Sequence, residues 1–334
     1  MIGCTTVLGQ VRGVKRGAGA FRWTEQTIPN QGVPGTRAAQ RARPVPTRRN
    51  RHAARLPTGT PADESLTVQP ALHQDLADEL WEADRSAKPI APLTERHDGL
   101  DIEDAYAIQS INIERRVAAG QKVIGRKVGL TSKPMQTLLG VNEPDFGVLT
   151  DEMFVEDGDL IALSRLVQPR VEAELAFVME RDLAGPGVTT ASALAAIAGA
   201  LPAVEIVDSR VADWKIKLVD TVADNASSGL LVLGGRMRQV EDLDLRLLGV
   251  VLSRHGEVID SGAGAAALGN PARCVAWLAN KLGELGTRLK AGDIVLPGAV
   301  HKMVPVQSGD VFRAEFAHLG AVTVRFSKEA EESR

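Results

Sequence analysis

From about residue 68 onward the hydrophobic and polar positions follow two rhythms, whereas the first 67 residues follow neither. Ala71–Ala87 places Leu72, Leu76 and Leu80 at four-residue spacing, one apolar helical face, and Pro89 and Pro92 end it. Ile102–Ala119 repeats the pattern with Ala105, Ile108, Ile111 and Ile113, and Gly120 stops it. Beyond Gly120 the texture changes to short β-like runs: Lys122–Leu130, Val171–Met179, Ala203–Asp208, Gly229–Leu233, Leu245–Ser253 and Glu257–Ser261. Helices are expected at Thr189–Ala200 and Pro271–Leu285. The chain then returns to strands at Asp293–Leu296, Met303–Val306, Val311–Phe316 and Ala321–Phe326, two of them introduced by the turns Ala291-Gly292-Asp293 and Ser308-Gly309-Asp310. Many short strands with few long helices between them predict an α+β fold on a mixed, rolled or sandwiched sheet, preceded by a helical part. The expected division is a basic extension over 1–67, a helical part over 68–120 and a catalytic α+β domain over 121–328.

Composition changes this picture only at the N-terminus. With 334 residues, 44% of them hydrophobic, the chain is long enough for a large core, and wholesale disorder is excluded. The net charge of -3 hides a division: residues 1–66 hold eleven Lys/Arg against three acids, and residues 67–334 hold 28 basic against 39 acidic groups. The basic segment is rich in Gly, Pro and Thr and without period, which predicts disorder. A nucleic-acid-binding arm is one reading, but Phe21 and Trp23 are its only aromatics. A presequence is a second, poorly matched because the segment is neither Ser-rich nor amphipathic. The third is an extension outside the working protein, with translation starting at a non-Met codon near Val68. Two cysteines, Cys4 and Cys274, cannot build a disulfide framework or a four-cysteine zinc site, so a cytoplasmic setting is expected. Leu183–Val204 is broken by Gly185, Pro186, Gly187 and Pro202, too short between breakers to span a bilayer; it reads as a loop followed by a buried helix.

Candidate chemistry concentrates in two apolar strands. In Pro169–Met179 the odd positions Val171, Ala173, Leu175, Phe177 and Met179 form an apolar face, and the other face carries Glu172 and Glu174 followed by Ala176 and Val178. Glu205 stands among the aliphatics of Pro202–Val207. Buried carboxylates that converge repel one another and take up protons unless a cation lies between them. A divalent ion with oxygen ligands, Mg2+ or Mn2+, would relieve all three. The plainer alternative pairs Glu172 and Glu174 with Arg165, Arg170 or Arg210 on an exposed strand.

Five separated motifs then carry a resemblance. They are Gly125-Arg126-Lys127-Val128-Gly129-Leu130-Thr131, Pro144-Asp145-Phe146-Gly147, Pro169-Arg170-Val171-Glu172-Ala173-Glu174, Pro202-Ala203-Val204-Glu205 and Asp220-Thr221-Val222-Ala223-Asp224-Asn225-Ala226-Ser227. In order and spacing they resemble the 2-hydroxypenta-2,4-dienoate hydratases (2-keto-4-pentenoate hydratases) of the fumarylacetoacetate hydrolase superfamily, from about Val68 to Phe326. The resemblance implies that superfamily's C-terminal fold and homo-oligomers. It implies Glu172, Glu174 and Glu205 as ligands of Mg2+ or Mn2+, and a substrate pocket lined by Lys127, Asp145 and Ser227. Without it, Lys127 could be a snorkelling strand lysine, Asp145 a turn former and Ser227 a loop polar group.

The implied reaction adds water to a short 2-hydroxy-2,4-dienoate, giving a 4-hydroxy-2-oxo acid in aromatic-compound catabolism. Lys127 would handle the proton at the 2-oxygen or support the substrate carboxylate, its pKa lowered by burial and the metal; Asp145 would orient the water and Ser227 bond the substrate. The segment Leu296–Val306 departs from the family: Pro297 stands where Thr or Ser is common, and His301-Lys302 replace less charged residues. Gly298 there suits a close backbone approach to a ligand. A positive group facing the pocket would favour a second substrate carboxylate. The alternatives are a 2-oxo-3-hexenedioate decarboxylase of the same superfamily and, in another class, a non-catalytic protein with a basic nucleic-acid-binding arm.

Overall fold

The computed structural model describes residues 64–328. The extension expected over residues 1–63, with its three readings, lies outside the described residues. Residues 64–67, assigned above to that extension, are instead the first turn of helix α1 (Glu64–Ser86).

The helical part continues through α2 (Leu93–Arg96) and α3 (Ile102–Ala118). A capping box starts α3: Asp101 accepts from the Asp104 backbone N–H while the Asp104 carboxylate accepts from the Asp101 N–H. Leu76, Ala77 and Leu80 of α1 meet Leu93, Ala105 and Ile108, with Val222 and Ala223 of helix α6 (Leu218–Ala223) closing the cluster. The remaining short helices are α4 (Lys133–Leu139) and α5 (Thr190–Leu194), and α7 spans Pro271–Glu284.

Two sheets form the body. The larger takes the order β2 (Asp145–Thr150), β1 (Val123–Gly129), β10 (Ile294–Leu296), β5 (Arg170–Met179), β6 (Ile197–Val207), β7 (Ser228–Leu233), β3 (Phe154–Glu156), with β11 (Val304–Pro305) also on β5. It is mixed: β1–β10 and β7–β3 run parallel, while β1–β2, β5–β10, β5–β6 and β6–β7 run antiparallel. The smaller sheet has the order β4 (Leu160–Ile161), β13 (Gly320–Phe326), β12 (Val311–Phe316), β8 (Gly249–Arg254), β9 (Glu257–Ala263). The odd positions of β5 share the main core with Phe312, Ala314, Phe316, Val322 and Val324 of the second sheet and with α7. The opposite face of the large sheet carries a smaller apolar cluster of Leu149, Ala176, Ala203, Leu231 and Leu296. This is the expected α+β architecture with its rolled, mixed sheet.

Two departures are informative. The helix expected over Thr189–Ala200 stops at Leu194, and β6 begins at Ile197, so the buried helix read in Leu183–Val204 is mostly strand. An all-apolar run has no polar phase to distinguish the two periods, and pairing with β5 along its length decides for strand. Pro202 is tolerated within β6 because the β7 pairing begins only at Ala203. Among the described residues no helix is long and apolar enough to cross a membrane.

Candidate active site

The antiparallel register of β5 and β6 sets Glu172 directly opposite Glu205, and strand alternation puts Glu174 on the same face. Like charges directly opposite one another are destabilising in a sheet. Here each of the three glutamates offers a carboxylate oxygen within 4.8 Å of the others. Glu174 and Glu205 are both 1% exposed, so the face is enclosed. Burial pushes the Glu172 carboxyl up to about 7, with Glu205 adding to the rise. Burial likewise raises Glu174 and Glu205; the neighbouring carboxylates add to this at Glu174, and Lys127 opposes it at Glu205. The alternative of surface pairing with arginine is not what the side chains do. Arg170 stacks its guanidinium over the Trp214 ring at 4.5 Å, and Arg210 bonds the buried Asp224.

Lys127 of β1 is the cation nearest this group. Its register partner is Leu296, the last residue of β10, and past that end its ammonium comes within 3.4 Å of Glu205 Oε1. That distance is longer than a good charge-assisted bond, and Glu205 Oε1 has no hydrogen-bond partner. Burial pulls the Lys127 pKa down, but Glu205, Asp145, Glu172 and Glu174 together outweigh it and the net shift is upward. Burial thus acts in the expected direction, but the four acids outweigh it and hold the ammonium charged. One ammonium does not neutralise them, and three converging oxygens with an unpartnered Oε1 fit a divalent cation.

Asp145 begins β2 opposite Gly129 and is 2% exposed. Its Oδ1 has no hydrogen-bond partner, and burial raises its pKa. A Cβ at Gly129 would lie 2.1 Å from this oxygen and 3.5 Å from Lys127 Nζ, so the bare glycine lets carboxylate and ammonium share one corner. Beneath, Phe146 stacks on Tyr106 of α3 with centroids 4.7 Å apart.

Ser227 is buried but is not in the carboxylate group. Its Oγ donates to Asp224 Oδ2 at 3.3 Å and lies 3.5 Å from Thr221 Oγ1. Asn225, Ala226 and Ser227 occupy consecutive left-handed conformations (φ 53°, 51° and 52°), each costing about 1–3 kcal/mol outside glycine. Residues assigned no such role from the sequence hold this turn. The Asn225 amide donates to the Val148 carbonyl at 2.9 Å and accepts the Val148 N–H at 2.7 Å, an amide standing in for a strand. Arg210 bonds the Asp224 carboxylate and donates to the carbonyls of Asp224 and Ser228. Asp208 accepts the N–H groups of Val167 and Gln168 at 2.9 and 2.7 Å, pinning the entry of β5 to the end of β6.

The departing segment 297–303 runs along the edge of β5 between β10 and β11. Gly298, at φ 111°, donates its N–H to Glu174 Oε2 at 2.8 Å. A Cβ there would lie 2.1 Å from Thr131 Oγ1, so the close approach expected of this glycine is to Thr131 and a glutamate. His301 does not add the positive charge considered above: its side chain is fully buried, burial lowers its pKa, and both ring nitrogens are engaged with backbone. Lys302 is exposed.

The family model for the fumarylacetoacetate (FAA) hydrolase C-terminal domain matches residues 116–327. The chain is 50% identical over 259 residues to a 2-keto-4-pentenoate hydratase of Paraburkholderia xenovorans (strain LB400), covering 78% of this chain and 96% of that protein. It is 47% identical over 251 residues to a 2-hydroxyhexa-2,4-dienoate hydratase of Comamonas testosteroni, covering 75% and 95%. Among solved structures it is similar to 4-oxalocrotonate decarboxylase from Pseudomonas putida G7, complexed with magnesium and adipate. That likeness has a TM-score of 0.76 and 39% identity and covers 77% of this chain and 98% of that one. With its acidic centre on the paired strands of such a sheet, the chain belongs to the fumarylacetoacetate hydrolase family.

Proposed function

We propose that the protein is a metal-dependent hydro-lyase that adds water to 2-hydroxypenta-2,4-dienoate, giving 4-hydroxy-2-oxopentanoate in the catabolism of aromatic compounds. What carries this function is one juxtaposition, in a chain half identical to a hydratase along that relative's length: three carboxylate oxygens within 4.8 Å beside a buried ammonium and a buried, unpartnered carboxylate oxygen. Glu172, Glu174 and Glu205 would hold the cation, Mg2+ or Mn2+; the magnesium in the decarboxylase structure supports a divalent ion. When bound, that ion supplies Lewis acidity to the carboxylate and 2-oxygen end of the substrate.

The proton balance assigns work to the remaining residues. The 2-hydroxyl loses a proton and carbon 5 gains one; water then adds across carbons 3 and 4, its oxygen at carbon 4 and a proton at carbon 3. Lys127, held charged by its acidic neighbours, orients the substrate carboxylate and donates a hydrogen bond to the 2-oxygen as charge collects there. Asp145 presents its free Oδ1 as acceptor for a proton of the attacking water. Ser227, whose own contacts at 3.3 and 3.5 Å are long, exchanges them for a substrate oxygen. The enzyme works in the cytoplasm as a homo-oligomer, with the exposed Val258 and Ile259 of β9 covered by a second copy.

Incubation with 2-hydroxypenta-2,4-dienoate should yield a product one water heavier, and a chelator should abolish it. A second reading, decarboxylation of 2-oxo-3-hexenedioate, draws on the decarboxylase fold likeness. The same assay with the six-carbon diacid separates the two: loss of CO2 there, with no hydration of the five-carbon acid, would replace the hydratase.

A further inference from the structure

The outer edge of β5 is served by two separate strands. β10 pairs with it at Phe177 and Val178, and β11 at Val171 and Arg170. Neither reaches Ala173, the single residue between Glu172 and Glu174. Because backbone groups alternate along a strand, both polar groups of Ala173 face this gap. A buried N–H without a partner is costly, because nothing replaces its hydrogen bond to water. Here it would also free the main chain between two glutamates.

The gap is filled by two consecutive residues. The Val300 N–H donates to the Ala173 carbonyl at 3.3 Å, and the Ala173 N–H donates to His301 Nε2 at 2.9 Å. The imidazole sits where a neighbouring strand would present a carbonyl. Its other nitrogen lies 2.6 Å from the Lys302 carbonyl, which can only accept, so the proton resides on Nδ1 and Nε2 is the acceptor. The fit is close on the far side too: a Cβ at Gly262 of β9 would lie 1.9 Å from the Val300 carbonyl oxygen. The loop is thus wedged between the two sheets; the His301 side chain is buried, and besides its backbone partners the nearest carboxylate is Asp260, whose Oδ2 lies 3.9 Å from Nδ1.

We propose that His301 is a positioning residue for the cation site: its neutral imidazole completes the β5 ladder at Ala173 and so fixes the spacing and direction of Glu172 and Glu174. This rests on the metal-site reading given above. Without the Nε2 acceptor, the two glutamates lose their common anchor and the site becomes looser. Groups that orient ligands indirectly are commonly worth about tenfold or more in metal affinity.

The test is Mn2+ binding by titration calorimetry on the full chain, for wild type and for the His301→Leu, His301→Gln and His301→Asn variants, with Glu172→Gln as control. Leu fills the space without an acceptor; Gln reaches the Ala173 N–H, and Asn is too short. The expected result is Mn2+ binding weakened about tenfold or more in His301→Leu and His301→Asn, near-wild-type affinity in His301→Gln, and unchanged far-UV circular dichroism. If His301→Leu does not fold, the Gln and Asn variants decide alone. Equal affinity for wild type and His301→Leu, or for His301→Gln and His301→Asn, would overturn the inference while leaving the metal site intact. Wild-type protein that binds no Mn2+, or binds it as well with Glu172→Gln, would overturn the metal reading and the inference with it.

Discussion

At the scale of single residues the centre is under electrostatic stress that a bound cation would relieve. Replacing Lys127 with Met or Asp145 with Asn should lower turnover about a hundredfold or more while the protein still copurifies with its metal; metal analysis and steady-state rates check both. Glu172 supplies a pH signature. Its folded-state pKa is raised from 4.5 to about 7, so its contribution to stability is full below about 4.5 and is lost as pH rises through about 7. Metal binding needs the ionised form and has the opposite sign: Mn2+ affinity should fall as pH drops below about 7, by about tenfold per unit for each carboxyl that must ionise. Calorimetry in buffers of different ionisation heat would show the proton release. The three glutamates stand out in the sequence as charge among aliphatics once the strand period is seen, with arginine pairing as the plainer alternative; Lys127 and Asp145 come from the family resemblance, each with a bland alternative of its own. What His301, Asn225 and the Arg210–Asp224 pair do is not legible there: His301 reads as an added positive charge and Arg210 as a partner for the glutamates. Each acts by substituting for backbone or by bracing a turn, and which backbone group lacks a partner is known only once strands are paired.

Among elements, the site is held by strand register on one side and by a strained turn on the other. Arg210 and Asp224 are both buried, and Arg210 also bonds the Ser228 carbonyl, so the pair clamps the left-handed run that delivers Ser227. Removing one member leaves an uncompensated buried charge, so Asp224→Asn should cost about 3–5 kcal/mol, read as a lowered thermal midpoint. Most strands could be located from sequence because they alternate or are bounded by turns; β12 spans the expected Val311–Phe316 without adjustment. The miss at Ile197–Val207 has a plain cause: an Ala-rich run reads equally well in either period, and the choice is made by a partner strand far away in sequence. Helix α6 was also unmarked, because six residues are too few to display a period; its signal is Asp220, which caps its own helix at Lys217 and holds the Thr94 N–H and hydroxyl of α2.

For the molecule as a whole, β9 closes one end of the smaller sheet and leaves Val258 68% and Ile259 41% exposed. A proposed homo-oligomer that uses this edge should dissociate when Val258 is replaced by Asp, with sedimentation velocity showing a smaller species; an unchanged sedimentation coefficient would move the interface elsewhere. The interrupted border of β5 has a wider consequence. The chain enters segment 297–303 from one strand and leaves it into another, each separately fastened to β5. A stretch anchored at both ends, with Gly298 on Glu174 and His301 on Ala173, passes a change within it straight to the glutamates. Chimaeras exchanging that short stretch between relatives should therefore alter cation affinity together with substrate choice, unless Gly298 and His301 are retained.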